Sequence, residues 1–222
     1  MTTTRAIALS LAAAIAGCAS GPPPPAWQSE AKGAFDRAAV AYLSGDTRLH
    51  DTELARARAA VSATGRPELA ARVELMDCAV RVASLVFEPC VRFEALRADA
   101  AAAERAYADH LAARPLSRET IALLPVAQQR AASALAAGAA TAAAAPAEED
   151  PLSRLIAVAV LFRAGQASPS QIDSAVDTAS AQGWRRPLLA WLKVQALRAR
   201  KAGDTGELQR LQRRIALVEG DN

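Results

Sequence analysis

The chain reads as all-α, and three observations predict it. Hydrophobic residues make up 52% of the 222 residues while aromatics are only 4%, and much of the apolar fraction is alanine, the residue of highest intrinsic helix propensity. β-Branched and aromatic residues are thin, and no segment shows the period-2 alternation of a half-buried strand. Gly and Pro divide the region after residue 26 into about eight helical segments.

The first segment runs from Trp27 to Leu43 and ends at Ser44-Gly45-Asp46. The second covers Asp51 to Ala63, and the third starts at Pro67, a favoured first helical position. In the third, Leu69, Val73, Met76, Val80, Ala83 and Phe87 recur at alternating spacings of four and three, which places them on one helix face. The fourth is expected from Pro89 to Ala113, with Phe93, Leu96, Ala100, Ala103, Tyr107 and Leu111 as its buried stripe. The fifth opens with Ser117 as N-cap and Glu119 in its first turn. Pro125 must kink or divide it near Leu124.

Residues 138–150 are alanine-rich and end in Glu148-Glu149-Asp150. This segment reads as a linker between an N-terminal helical lobe (27–137) and a C-terminal helical-hairpin lobe (151–222). A frayed extension of the preceding helix is the other reading. After it, Pro151 starts a helix whose run from Leu155 to Phe162 is wholly apolar, the mark of a helix covered on several sides. Further helices start near Pro169, with Ser168 as cap, and at Pro187. The last carries Leu208, Leu211, Ile215 and Val218 on one stripe.

The start of the chain has a different character. Arg5 and the α-amino group form a short positive region, and the eleven residues from Ala6 to Ala16 are apolar or small. That is too short for a hydrocarbon core that needs roughly 20 residues, but it suits an export signal over residues 1–17. Ile15-Ala16-Gly17-Cys18 follows at once and resembles the lipobox of bacterial lipoproteins. The resemblance implies cleavage before Cys18, a diacylglyceryl group on its thiol and acylation of the new amine. A covalent lipid of several acyl chains, palmitate among them, satisfies the requirement that stable anchoring take more than one chain. Ala19 and Ser20 stand where Asp tends to retain such proteins in the inner membrane of Gram-negative bacteria. The resemblance therefore implies the periplasmic face of the outer membrane. Residues 18–26, with Pro22 to Pro25, read as an extended polyproline tether.

Lipidation would use one of three cysteines and leave Cys78 and Cys90. An even pair in an oxidising compartment suggests a disulfide; two free thiols are the alternative. The bond needs Cα atoms within ~7 Å. The helix holding Cys78 must then stop near Ser84, with Leu85 to Pro89 folding back along it.

The pieces repeat weakly. Pro151-Leu152 and Pro187-Leu188 lie 36 residues apart, and Gly165 and Gly203 lie 38 apart. Helix, Gly turn, helix, Gly-x-Pro turn describes stacked antiparallel αα-hairpins, and the period resembles that of tetratricopeptide-type repeats, ~34 residues. The Trp, Gly and Tyr positions of that family's first helix are not cleanly present, and an irregular helical bundle is the competing architecture.

Little in the sequence carries catalytic chemistry. No nucleophile elbow, phosphate loop, dinucleotide fingerprint or Cys-x-x-Cys occurs. His50 and His110 lack partners at metal-ligand spacing, and His110 is expected half-exposed. The acids near His50 (Asp46, Asp51, Glu53) suit a helix start. Any two glutamates could meet in space as a glycan-cleaving pair; Glu74, Glu88, Glu94 and Glu104 are candidates by existence alone, and Glu74 and Arg81 read better as helix-surface charges. The expectation is a non-enzyme with no metal or dissociable cofactor.

The formal charge is a mild +3, and nucleic acid is not expected as a partner of an exported chain. From Trp184 onward, nine basic residues stand against four acidic. Trp184, Arg185, Arg186, Arg210, Arg213 and Arg214 are the candidate partner-binding residues on that basic end. A solvated face is the simpler reading. Trp191, in register with Leu188 and Leu192, reads as core. The sequence thus predicts an outer-membrane-anchored periplasmic module that binds an unidentified periplasmic protein or cell-wall partner. Its place would be envelope assembly, secretion or cell-wall maintenance. A peptidoglycan-associated enzyme or accessory factor, or a purely structural lipoprotein, are the alternatives.

Overall fold

The computed structural model describes residues 25–138 and 150–220. Cys18, the signal segment, the tether as far as Pro24, and residues 139–149 lie outside them. Among the described residues the protein is wholly helical, with eleven helices.

Helices α1 (Ala26–Ser44) and α2 (Thr47–Ser62) form the first antiparallel hairpin. Pro25 enters α1 with φ −52° and ψ 143°, near the polyproline region. Gly45 closes α1 at φ 95°, and the amides of Gly45 and Asp46 donate to the carbonyls of Tyr42 and Ala41. Only glycine takes this left-handed turn without a steric cost. The Asp46 carboxylate then accepts from the Leu49 amide at 2.9 Å and caps α2, which therefore starts four residues before the expected Asp51.

Helix α3 (Pro67–Ala83) is shared by two hydrophobic clusters. Val73 and Val80 join α1 and α2; Ala71, Leu75, Ala79 and Val82 join the larger cluster. One stripe cannot serve two neighbours, so the α3 residues bury more than one face. Met76, expected on the buried stripe, is left 39% exposed. The helix stops at Ser84 and Leu85 turns at φ 61°, as the pairing of Cys78 with Cys90 demanded.

The expected helix from Pro89 to Ala113 is two: α4 (Val91–Leu96) and α5 (Ala102–Leu111). The break lets Phe93 and Ala100 both reach the core. The Arg105 guanidinium donates to the Ala100 carbonyl, and Arg97 bridges Glu94 and Asp109 across the gap. Ala103 consequently lies on the exposed side of α5. Ser117 caps α6 (Arg118–Ile121), and Pro125 starts α7 (Val126–Ala137), dividing the segment where proline required.

Helix α8 (Pro151–Arg163) is the centre of the molecule. Every residue from Leu155 to Leu161 is buried, in keeping with its uninterrupted apolar run. It packs on α3, α5 and α7, and then on α9 (Pro169–Ala181). One hydrophobic cluster thus combines residues from 27–137 with residues from 151–222. A capping box at Ser168 and Gln171 starts α9. Helices α10 (Arg185–Ala202) and α11 (Thr205–Glu219) form the last hairpin. Helix α10 also returns to α1, so the first and last hairpins touch.

Candidate functional site

Besides a polar groove of about 530 Å³ along Asp173, Gln195, Arg198 and Glu207 between α9, α10 and α11, three concave features and one buried charge cluster are places where the described residues could act. The first feature lies beside the cysteine pair. Cys78 on α3 and Cys90 at the start of α4 have Cα atoms 6.0 Å apart and sulfurs 2.25 Å apart. They form one wall of a small cleft of about 180 Å³. Arg58, Glu74, Arg81, Glu88 and Arg92 line it as well. Glu74 and Glu88 thus share a cleft, but arginines share it with them. Glu74 is also engaged: Arg58 on α2 donates to both its oxygens, each at 2.7 Å. This partly buried, two-pronged ion pair joins α2 to α3. Glu74 is therefore not the surface charge expected of it. Glu94 and Glu104 are likewise tied, to Arg97 and Arg72.

Closing a loop of 12 residues should stabilise the fold by about 3 kcal/mol through the unfolded chain. The Cys78→Ser, Cys90→Ser double variant should lower the urea midpoint accordingly, and reductant should move the wild type to the same place. Coincident midpoints with and without reductant would mean that no bond operates.

Beneath the cleft sits the charge cluster. His50 is 2% exposed. Its Nδ1 is 3.1 Å from the Ala38 carbonyl of α1, and its Nε2 is 3.3 Å from Asp77 Oδ1 of α3. Asp51 stands farther off at 3.8 Å. Asp77 also accepts from Arg81 Nε at 2.9 Å. The Arg81 guanidinium stands 5.6 Å from the centre of the Tyr42 ring, while its side chain stays 38% exposed along the cleft. Burial pulls the His50 pKa down, but Asp77 and the Ala38 carbonyl outweigh it and leave the imidazole above its ordinary value. Burial pushes Asp77 up, but His50 and Arg81 outweigh it and hold the carboxyl below its ordinary range. The cluster ties α1, α2 and α3 together. No group of three or more metal-ligating side chains occurs among the described residues.

His110 contrasts with this. Expected half-exposed, it is fully buried, with Nε2 3.2 Å from Gln128 Oε1. Burial drops its pKa to about 4 despite the contact with Gln128, so it stays neutral.

The second feature is an apolar cleft of about 350 Å³ between α3, α5 and the α6–α7 corner. Leu75, Met76, Tyr107, Leu123 and Pro125 line it, with the Arg72–Glu104 ion pair on its rim. Met76 and Leu123 are 39% and 47% exposed. The sequence did not single out this cleft, because Met76 read as core.

The third is a groove of about 270 Å³ between α10 and α11. The candidate basic residues from Trp184 onward do not line it, and they are not the single surface that the sequence suggested. Trp184 is half-buried and packs on both large clusters. Arg186 donates to the Tyr42 carbonyl at 2.7 Å and to Thr47 Oγ1 at 2.8 Å, and lies 4.1 Å over the Tyr42 ring. Arg185 donates to the Glu219 carbonyl at 2.7 Å. These three residues join helix ends. Arg210 makes a two-pronged pair with Glu207, both contacts 2.6 Å. Arg213 is exposed and Arg214 half-exposed on α11.

The chain matches no protein-family model, no curated protein and no solved structure. Its function is therefore argued from its own residues.

Proposed function

We propose that the protein is a lipid-anchored module of the periplasmic face of the outer membrane, and that it binds other envelope proteins through the surfaces between its helical hairpins. The observation that carries the binding role is the pairing of a closely packed helical domain with apolar side chains left open in concave places, Met76 and Leu123 above all. Hairpin arrays present such surfaces to partners, and exposed apolar clefts rimmed by charge mark interaction sites. Two carboxylates that an acid–base reaction would need are bound to arginines, Glu74 to Arg58 across α2 and α3 and Asp77 to Arg81 within α3. The anchor rests on Ile15-Ala16-Gly17-Cys18. No described helix is long and apolar enough to cross a membrane, and a lipidated cysteine would hold this chain at a bilayer without one.

The anchor is tested by fractionation. Wild-type protein should sediment with the outer membrane, and Cys18→Ser should leave that fraction, since two or more acyl chains are needed for stable attachment. Retention of the serine variant would refute the anchor. The binding role is tested with a photoreactive side chain at Met76, which should give a discrete adduct with another envelope protein.

A further inference from the structure

The last hairpin leaves one side of α10 uncovered. Gln195 reaches Asp173 of α9 at 2.8 Å and marks the side that faces α9. Lys193, Leu197 and Arg200 lie roughly half a turn away around α10, at ~100° per residue. With Ala196 of α10 and Leu208 and Ile215 of α11, they form the groove described above. Its floor is apolar. Leu197 is 49% exposed, and Leu208 and Ile215 are only partly buried.

We infer that this groove between α10 and α11 is a docking site for an acidic amphipathic helix of a partner protein. The inference rests on the interaction-module reading and specifies the partner. Two antiparallel helices with an apolar trough between them fit a third helix lying along the trough. A helix seated there would flank α10 opposite α9, the next position in the stack.

The charge at the rim selects its sign. Lys193 holds the Glu219 carboxylate at 2.8 Å, so this rim already binds one acid. Arg200 is exposed and has no ion-pair partner among the described residues. Glu219 is the only acid of the α10–α11 hairpin seen at this rim, and Lys193 neutralises it. The complement is a helix with apolar residues at three- and four-residue spacing and a carboxylate set to meet Arg200. A second copy of this chain offers the same basic end, and like charges would oppose it.

The test uses the full chain in envelopes of its source organism. A photoreactive side chain is placed at Leu197 or at Gln212, and each adduct is mapped by peptide sequencing. The expected adduct is a helical, Asp/Glu-bearing segment of a different protein. Arg200→Glu should reduce its yield about tenfold, the effect of reversing one contact charge, while circular dichroism and the Met76 adduct stay unchanged. The inference fails if the groove probes give no adduct, or if they give one with this chain or with lipid. Adducts that Arg200→Glu does not weaken overturn it as well. Adducts from Met76 alone would remove the groove and leave the interaction reading standing. Silence from all probes would remove both.

Discussion

Trp191→Ala should destabilise the protein by about 3–5 kcal/mol, the usual cost of emptying a large aromatic site in a core. Trp191 is 0% exposed. Its ring meets Phe162 edge-on at 5.5 Å, and its Nε1–H donates to the Ala83 carbonyl at 3.3 Å. One side chain therefore fills the space between α8 and α10 and satisfies a carbonyl at the end of α3. A domain of this kind has only ~5–15 kcal/mol in all, so the variant should be partly unfolded near body temperature. Trp191→Phe keeps the ring contact and loses the hydrogen bond, at about 1 kcal/mol for the bond itself. Urea unfolding of the two variants separates packing from hydrogen bonding. A loss below about 1 kcal/mol for the alanine variant is incompatible with a closed core at this site.

The second expected result is a stability maximum near neutral pH set by two histidines with opposite behaviour. His50 has a folded pKa above its ordinary 6.5. Its contribution is complete below that value and disappears as pH rises through the folded pKa. His110 has a folded pKa of about 4 against an ordinary 6.5. The unfolded chain takes up that proton first, so stability falls as pH drops from 6.5 toward 4, by about 3 kcal/mol over the full shift. Asp77 adds a further loss below its ordinary 3.8, as acid protonates the carboxylate that faces His50 and Arg81. Thermal unfolding across pH 4 to 9 should show both limbs. His50→Gln should flatten the alkaline limb and leave the acid limb. If the alkaline limb is unchanged in that variant, His50 is not held as the charged imidazolium. Asp77→Ala should cost about 3 kcal/mol at neutral pH, since it strands two cationic partners. The figure sits low in the usual range because Arg81 is 38% exposed and water screens it.

Much of the fold was legible because local chemistry agreed with it. Pro67, Pro151 and Pro169 each begin a helix, Ser117 and Ser168 cap, and the apolar run is buried from Leu155 to Leu161. The stop at Ser84 followed from the reach of a disulfide alone. What was not legible depended on neighbours. The gap between α4 and α5 falls among alanines that carry no breaker, and it is sustained by Arg97 and Arg105, whose partners lie in the fold. Met76 obeyed the helical period and still faces outward, because α3 serves two clusters. Glu74 and His110 read as surface residues because their partners, Arg58 and Gln128, stand on other elements. Arg186 looked like part of a basic face for the same reason: Tyr42 is 144 residues away.

That last separation has a consequence for biogenesis. A ribosome, or any pore that threads the chain from its amino end, releases the first hairpin long before Arg186 arrives to occupy the Tyr42 carbonyl. Closure of the molecule is then a late event that awaits the 144-residue span from Tyr42 to Arg186. Non-local contacts of this span slow folding, so nascent intermediates should linger with α1 and α2 assembled and the final hairpin still unseated.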